Sequence, residues 1–203
     1  MNAMQRLPVA ILLSGSGRTL GNFLAERAAG RLPVDIVGVV SSRAGVAGVD
    51  IARAAGLPVA VFRRKDHASI VAHNAAINDW LAERAPRMIL LAGYLCFYHR
   101  PDWFDGPILN IHPALLPAHG GKGMYGHHVH EAVLAAGETE SGCTVHHVSD
   151  VYDAGEIVGQ ERVPVRPDDT PDTLASRVFA AECILYPRVV GEIAQNLLEQ
   201  RSG

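Results

Sequence analysis

Pro8-Val-Ala-Ile-Leu-Leu13 followed by Ser14-Gly-Ser-Gly-Arg-Thr19 is the stretch on which the fold turns. Six residues without an internal charge read as a strand buried on both faces. Two glycines in four then turn the chain, and residues 18–29 place Leu20, Phe23 and Leu24 at helical spacing. Strand, glycine turn and helix together open a β-α unit of a parallel sheet. The pattern continues outward. Residues 34–40 read as a second apolar strand, 48–55 as a helix stopped by Gly56, and 58–62 as a short third strand. Residues 67–84 carry Ile70, Val71, Ile77 and Leu81 at helical spacing, and 88–92 and 108–111 read as the fourth and fifth strands. The expected fold class is α/β, a three-layer, mostly parallel sheet with helices on both faces and a Rossmann-like N-terminal half. In such sheets ligands sit beyond the carboxyl ends of the strands. That rim would carry the Ser14–Gly17 turn, the segment 93–97 and the residues after Leu109.

The second half reads differently. Residues 112–126 hold four glycines and two prolines, which rules out a regular element, and long ordered loops in compact domains tend to be functional. Residues 128–136 read as a short helix. Residues 143–148 and 157–165 read as strands pairing around a turn at 150–155. Residues 172–200 read as a final helix that Pro187 bends or splits. The expected organisation is a single domain over 1–203, with a phosphate-binding half at 1–112 and a catalytic-loop half at 113–203.

Composition narrows the function. Of 203 residues, 48% are hydrophobic and 19% charged, enough apolar material for a core and too much for a disordered chain. The formal charge of −3 and the lack of any long Lys/Arg block argue against nucleic-acid binding. The longest apolar run, residues 88–97, is half of the roughly 20 residues a membrane span needs. Three scattered cysteines, Cys96, Cys143 and Cys183, suit reduced thiols in a cytoplasm. His127, His128 and His130 do not follow the i, i+4 spacing of zinc enzymes, and adjacent His146 and His147 point to opposite strand faces, so no metal is expected.

Three motifs can carry chemistry. Ser14–Thr19 offers a helix start with unpaired N–H groups, which suits a phosphate, and reads equally as a plain β-α turn. It lacks the third glycine and the acidic partner of a dinucleotide site, and it has no Gly-Lys-Ser/Thr. Asn110 and His112, two apart at a strand end, share one face. An amide there can donate to a developing oxyanion, and an imidazole can move a proton near neutral pH. The pair, followed by Pro113, favours a catalytic role over a structural one. In Ser149-Asp150-Val-Tyr-Asp153-Ala-Gly155, Asp150 suits ordinary turn chemistry, while Asp153 is locally undecided between that and orienting an imidazole.

Asn110-Ile-His-Pro113 with Leu115-Leu-Pro117, Gly142-Cys-Thr-Val-His146, Asp150-Val-Tyr-Asp-Ala-Gly155, and Gln160 with Val163-Pro-Val165 resemble the folate-dependent formyltransferases, in particular their purine-pathway branch. The resemblance runs from Val9 to about Pro187. It implies the formyltransferase fold and an enzyme that uses 10-formyltetrahydrofolate as co-substrate, without a metal. It implies that the amine of glycinamide ribonucleotide attacks the formyl carbon, that Asn110 and His112 stabilise the oxyanion, and that His112 with Asp153 manages the protons. By the same resemblance, Gly17, Arg18 and Thr19 hold the substrate phosphate, Glu182 contacts the ribonucleotide, and Thr144 and His146 lie on the supporting strand. The folate would lie along Leu95, Cys96, Phe97 and Tyr98 and near Asp150. The Leu116–Pro117 bond would be cis. Arg18 and Thr19 stand where a serine and an asparagine are usual, Cys96 where an arginine is common, and Phe179 where a polar residue is usual. The loop 118–125 is longer than in the family, and Lys122 in it is a candidate to reach substrate. A different amine acceptor, a formyl-folate hydrolase and a non-catalytic α/β binding module are the alternatives. Family hydrolases carry an added N-terminal domain and initiator-tRNA formyltransferases an added C-terminal barrel, so the sequence points away from both. The expected partners are small molecules, with no nucleic acid and no membrane; a homodimer is compatible with the reading.

Overall fold

The computed structural model describes residues 5–200. The α/β class expected from the sequence is the class observed, with seven strands and five α-helices among the described residues. The chain forms two compact units, one up to Ile108 and again from Val190, the other Leu109–Val189.

In the first unit, β1 (Leu7–Leu13) is the central parallel strand, flanked by β2 (Val34–Ser41) and β4 (Met88–Leu91), and β3 (Val59–Val61) adds to β2. Val9, Ile11 and Leu13 are fully buried, as are Val39 and Val40, because every face of such a strand is covered. Helices α1 (Arg18–Ala28), α2 (Ala47–Ala54) and α3 (Ile70–Ala82) connect the strands. Helix α3 is shorter than the expected 67–84. Ser69 caps it by accepting the Ala72 N–H at 3.0 Å, which sets the start three residues late. Gly38 of β2 lies against the Trp80 ring of α3, where a Cβ would come within 2.8 Å of the ring.

The second unit is antiparallel. Strand β5 (Ile108–His112) pairs with β6 (Glu140–His147), and β6 pairs with β7 (Ile157–Pro164), the hairpin read from the sequence. Helix α4 (His127–Ala135) precedes β6. Helix α5 (Pro171–Glu199) begins with proline at the first helical position, where the missing N–H costs nothing. It runs through Pro187 without a break, so Pro187 does not split it. Leu185 and Tyr186 are fully buried, and the Tyr186 hydroxyl donates to the Leu109 carbonyl at 3.1 Å. That packing outweighs the local cost of the proline.

Candidate active site

Register builds the centre of the second unit. On β5 and β6, Asn110 stands opposite His146 and His112 opposite Thr144, so all four side chains share one face. The Asn110 amide donates to His146 Nε2 at 3.0 Å, and His146 Nδ1–H donates to its neighbour's carbonyl, that of His147, at 2.9 Å. Thr144 holds the segment that follows His112. Its hydroxyl donates to the Ala114 carbonyl at 2.7 Å and accepts the Leu116 N–H at 3.0 Å. Gln160 of β7 donates to the same hydroxyl and to the Leu116 carbonyl, both at 2.9 Å. The Leu116–Pro117 bond is cis, as the resemblance implied.

Asp153 arrives from the turn between β6 and β7, with a left-handed φ of 53° that aspartate tolerates better than most residues. Its carboxylate lies between two imidazoles. Oδ2 is 3.5 Å from His112 Nδ1, and Oδ1 is 3.5 Å from His146 Nε2. Gly121 N–H donates to Oδ2 at 2.9 Å. The other nitrogen of His112, Nε2, donates to the His119 carbonyl at 2.8 Å. A carbonyl only accepts, so Nε2 carries the hydrogen and neutral His112 presents a bare Nδ1 to Asp153. The His112 side chain is 4% exposed and that of Asp153 11%. Burial pushes His112 below its ordinary pKa, with the Asp153 carboxylate and the His119 carbonyl offsetting part of that. Burial works against the Asp153 carboxylate too, yet its pKa lies below the usual value: the His146 and His112 rings favour the ion when charged, and the Gly121 N–H favours it whatever their state. The result is an amide donor, a proton-accepting imidazole and an ionised carboxylate gathered on one strand end.

The structure therefore brings together Asn110, His112 and Asp153, with Thr144 and His146 behind them. Asp150 is exposed in the same β6–β7 turn. Glu182 lies on α5, and its carboxylate, after burial itself, helps push the Cys143 thiol up to about 12. His119 and Gly121 were not read from the sequence as site residues; they act through backbone groups, for which residue identity gives no signal.

The first unit holds the remaining sequence candidates. Gly17 caps α1 in the left-handed region (φ 70°), and no side chain caps the first turn. A Cβ on Gly17 would lie 2.4 Å from the Gly48 Cα, so glycine is required for space and for conformation. Arg18 and Thr19 are the first residues of α1. The turn is braced from below, because buried Ser14 Oγ bonds Ser42 Oγ at 2.5 Å and accepts the Leu95 N–H at 2.9 Å. That second bond ties the Ser14 turn to the start of the Leu95–Tyr98 strip. Leu95 is 37% exposed, and Cys96 and Phe97 are half-buried. Tyr98 is 2% exposed, its hydroxyl donating to Asn78 Oδ1 at 2.6 Å, which makes it a core residue of its unit. Among the described residues no group of three or more His, Cys, Asp or Glu could hold a metal ion, and no helix is long and apolar enough to cross a membrane.

The model of the formyl transferase family matches residues 7–190. The chloroplastic phosphoribosylglycinamide formyltransferase of Arabidopsis thaliana is 39% identical over 97% of this chain and 68% of its own length. The trifunctional purine biosynthetic protein adenosine-3 of Bos taurus is 39% identical over 92% of the chain, which spans only 18% of that protein. The crystal structure of glycinamide ribonucleotide transformylase 1 from Symbiobacterium toebii superposes with a TM-score of 0.87 at 34% identity, covering 94% of this chain and 89% of that one.

Proposed function

The chain belongs to the formyl transferase family, and on that premise we propose that it moves the formyl group of 10-formyltetrahydrofolate onto the amine of glycinamide ribonucleotide, a step of purine biosynthesis. The observation that carries the reading is the bare Nδ1 of His112, 3.5 Å from an ionised Asp153 and on the same strand face as the Asn110 amide. The amine nitrogen bonds to the formyl carbon, and the carbonyl oxygen becomes an oxyanion that Asn110 stabilises as a donor, with His112 as its second stabiliser once protonated. The ammonium so formed loses a proton to Nδ1 of His112. The resulting imidazolium keeps its Nε2–H on the His119 carbonyl and gains Asp153 as counter-ion, which lowers the cost of charging a buried ring. The proton then returns to the folate nitrogen as the carbon–nitrogen bond to it breaks, so the amine's hydrogen ends on the leaving folate.

The same reading assigns Gly17, Arg18 and Thr19 to the substrate phosphate, a helix start without a side-chain cap suiting an anion. It assigns Glu182 to the ribonucleotide, and Leu95, Cys96, Phe97 and Asp150 to the folate. Tyr98 enters the folate strip as a buried support for its neighbours. It keeps residues 1–112 as the phosphate side and 113–203 as the catalytic and folate side, in a metal-free cytoplasmic enzyme.

The test is spectrophotometric loss of formyl from the 10-formyl folate, with and without glycinamide ribonucleotide. Turnover that requires the ribonucleotide is expected. Equal turnover without it would make the protein a hydrolase, and no turnover in either case would remove this acceptor and donor.

A further inference from the structure

The turn after Pro117 touches both members of the His112–Asp153 pair through its backbone. The His119 carbonyl accepts the His112 Nε2–H, and the Gly121 N–H donates to Asp153. Two peptide groups two residues apart therefore set the spacing of imidazole and carboxylate. Between them Gly120 is wedged, since a Cβ there would lie 2.5 Å from Leu116 Cδ2 and 3.3 Å from Asp153 Cβ. His119 itself adopts φ 55°, a left-handed conformation that a non-glycine residue keeps only where its surroundings hold it.

What holds it is visible on its side chain. The His119 ring is 17% exposed, and its Nε2 stands 3.5 Å from Glu138 Oε1, a close polar contact without the alignment of a hydrogen bond. Glu138 follows α4 on a closed helix end, its N–H donating to the Val133 carbonyl at 3.4 Å. His119, Glu138, Val133 and the 2%-exposed Ser141 line one cavity of about 180 Å³, so the ring has space to leave this position if the contact with Glu138 is lost.

We infer that His119 is a positioning residue: its imidazole, docked on Glu138, holds the left-handed turn whose carbonyl keeps the His112 hydrogen on Nε2 and leaves Nδ1 to accept the substrate proton. Two acceptors compete for that hydrogen, the His119 carbonyl at Nε2 and the Asp153 carboxylate at Nδ1. With the turn loosened, the hydrogen moves to Nδ1, bonds to Asp153, and occupies the position the reaction needs vacant. The consequence for catalysis rests on the formyl-transfer reading; the tautomer itself does not.

The experiment uses the full chain labelled with nitrogen-15 histidine, as wild type, His119→Asn and Glu138→Gln. Asparagine accepts positive φ but is too short to reach Glu138, and Glu138→Gln leaves the turn's sequence intact, so it carries the test if the first variant fails to fold. The expected result is a wild-type His112 in the Nε2–H form and a shift toward Nδ1–H in the variants. Turnover should fall about tenfold in His119→Asn, with both Michaelis constants within about twofold, the signature of misplaced catalytic groups rather than lost binding. An unchanged His112 tautomer in folded variants overturns the inference. So does a tautomer shift with full turnover. A tautomer shift in a protein whose wild type transfers no formyl group would leave the positioning intact and refute the reaction instead.

Discussion

In the proposed mechanism His112 and Asp153 act on different parts of one proton transfer, so their removal should have similar consequences. His112→Ala deletes the acceptor, and Asp153→Asn removes the counter-ion that stabilises the charged ring. Each is expected to lower turnover by a factor on the order of 10² to 10⁴ with the far-ultraviolet spectrum unchanged. Near-normal turnover in both purified variants would take them out of the mechanism. The pH profile should follow the same ring. In that mechanism the base form of His112 is the active one, and burial depresses its pKa, so the acid limb of turnover should lie below the ordinary histidine value of 6.5. A limb at or above 6.5 would contradict the environment described for Nδ1. At the other candidate position, Arg18→Ala should raise the Michaelis constant for the phosphorylated acceptor more than it lowers turnover. An unchanged constant would assign Arg18 to the surface.

Among the elements, β6 holds one buried hydroxyl with three polar partners. Thr144 is fully buried and its single hydroxyl serves Ala114, Leu116 and Gln160. Thr144→Val keeps the shape and strands two donors, at a cost of about 2–3 kcal/mol. Denaturant unfolding should show that loss as a lower midpoint with the slope unchanged, and an unaltered midpoint would mean that the segment re-forms its bonds elsewhere. The strand itself was legible in the sequence, and so was the face shared by Asn110 and His112, because alternation along a strand depends only on counting. The hairpin of β6 and β7 was legible from its turn chemistry. Three things were not. The unbroken run of α5 through Pro187 depends on Leu185 and Tyr186 being buried, a tertiary effect that overrides local preference. Tyr98 in an apolar strip reads alike as ligand contact or as core until Asn78 is seen to take its hydroxyl. The tautomer of His112 depends on a carbonyl seven residues away, and every residue type has a carbonyl.

Across the molecule, three histidines are buried with depressed pKa values: His73, His112 and His130. For each the first cause is burial, which disfavours the charged ring. The unfolded chain takes up protons as pH falls through about 6.5, while the folded chain resists, so stability is full above that value and declines below it. For His130, whose pKa is pushed down to about 4, the decline continues to that pH and amounts to about 3 kcal/mol. Unfolding free energy measured between pH 7.5 and 4.5 should therefore fall steeply, and His130→Phe should flatten part of the slope. A variant with the same slope as wild type would show that His130 is not a source of the acid sensitivity. Cys143 lies at the opposite end of the titration scale. Its thiol is fully buried and pushed up to about 12, so at neutral pH it stays in the unreactive protonated form, shielded from alkylating reagents and oxidants. That makes it a built-in clock for the antiparallel unit, since the rate at which it is captured by a large excess of maleimide reports how often this half of the protein breathes open.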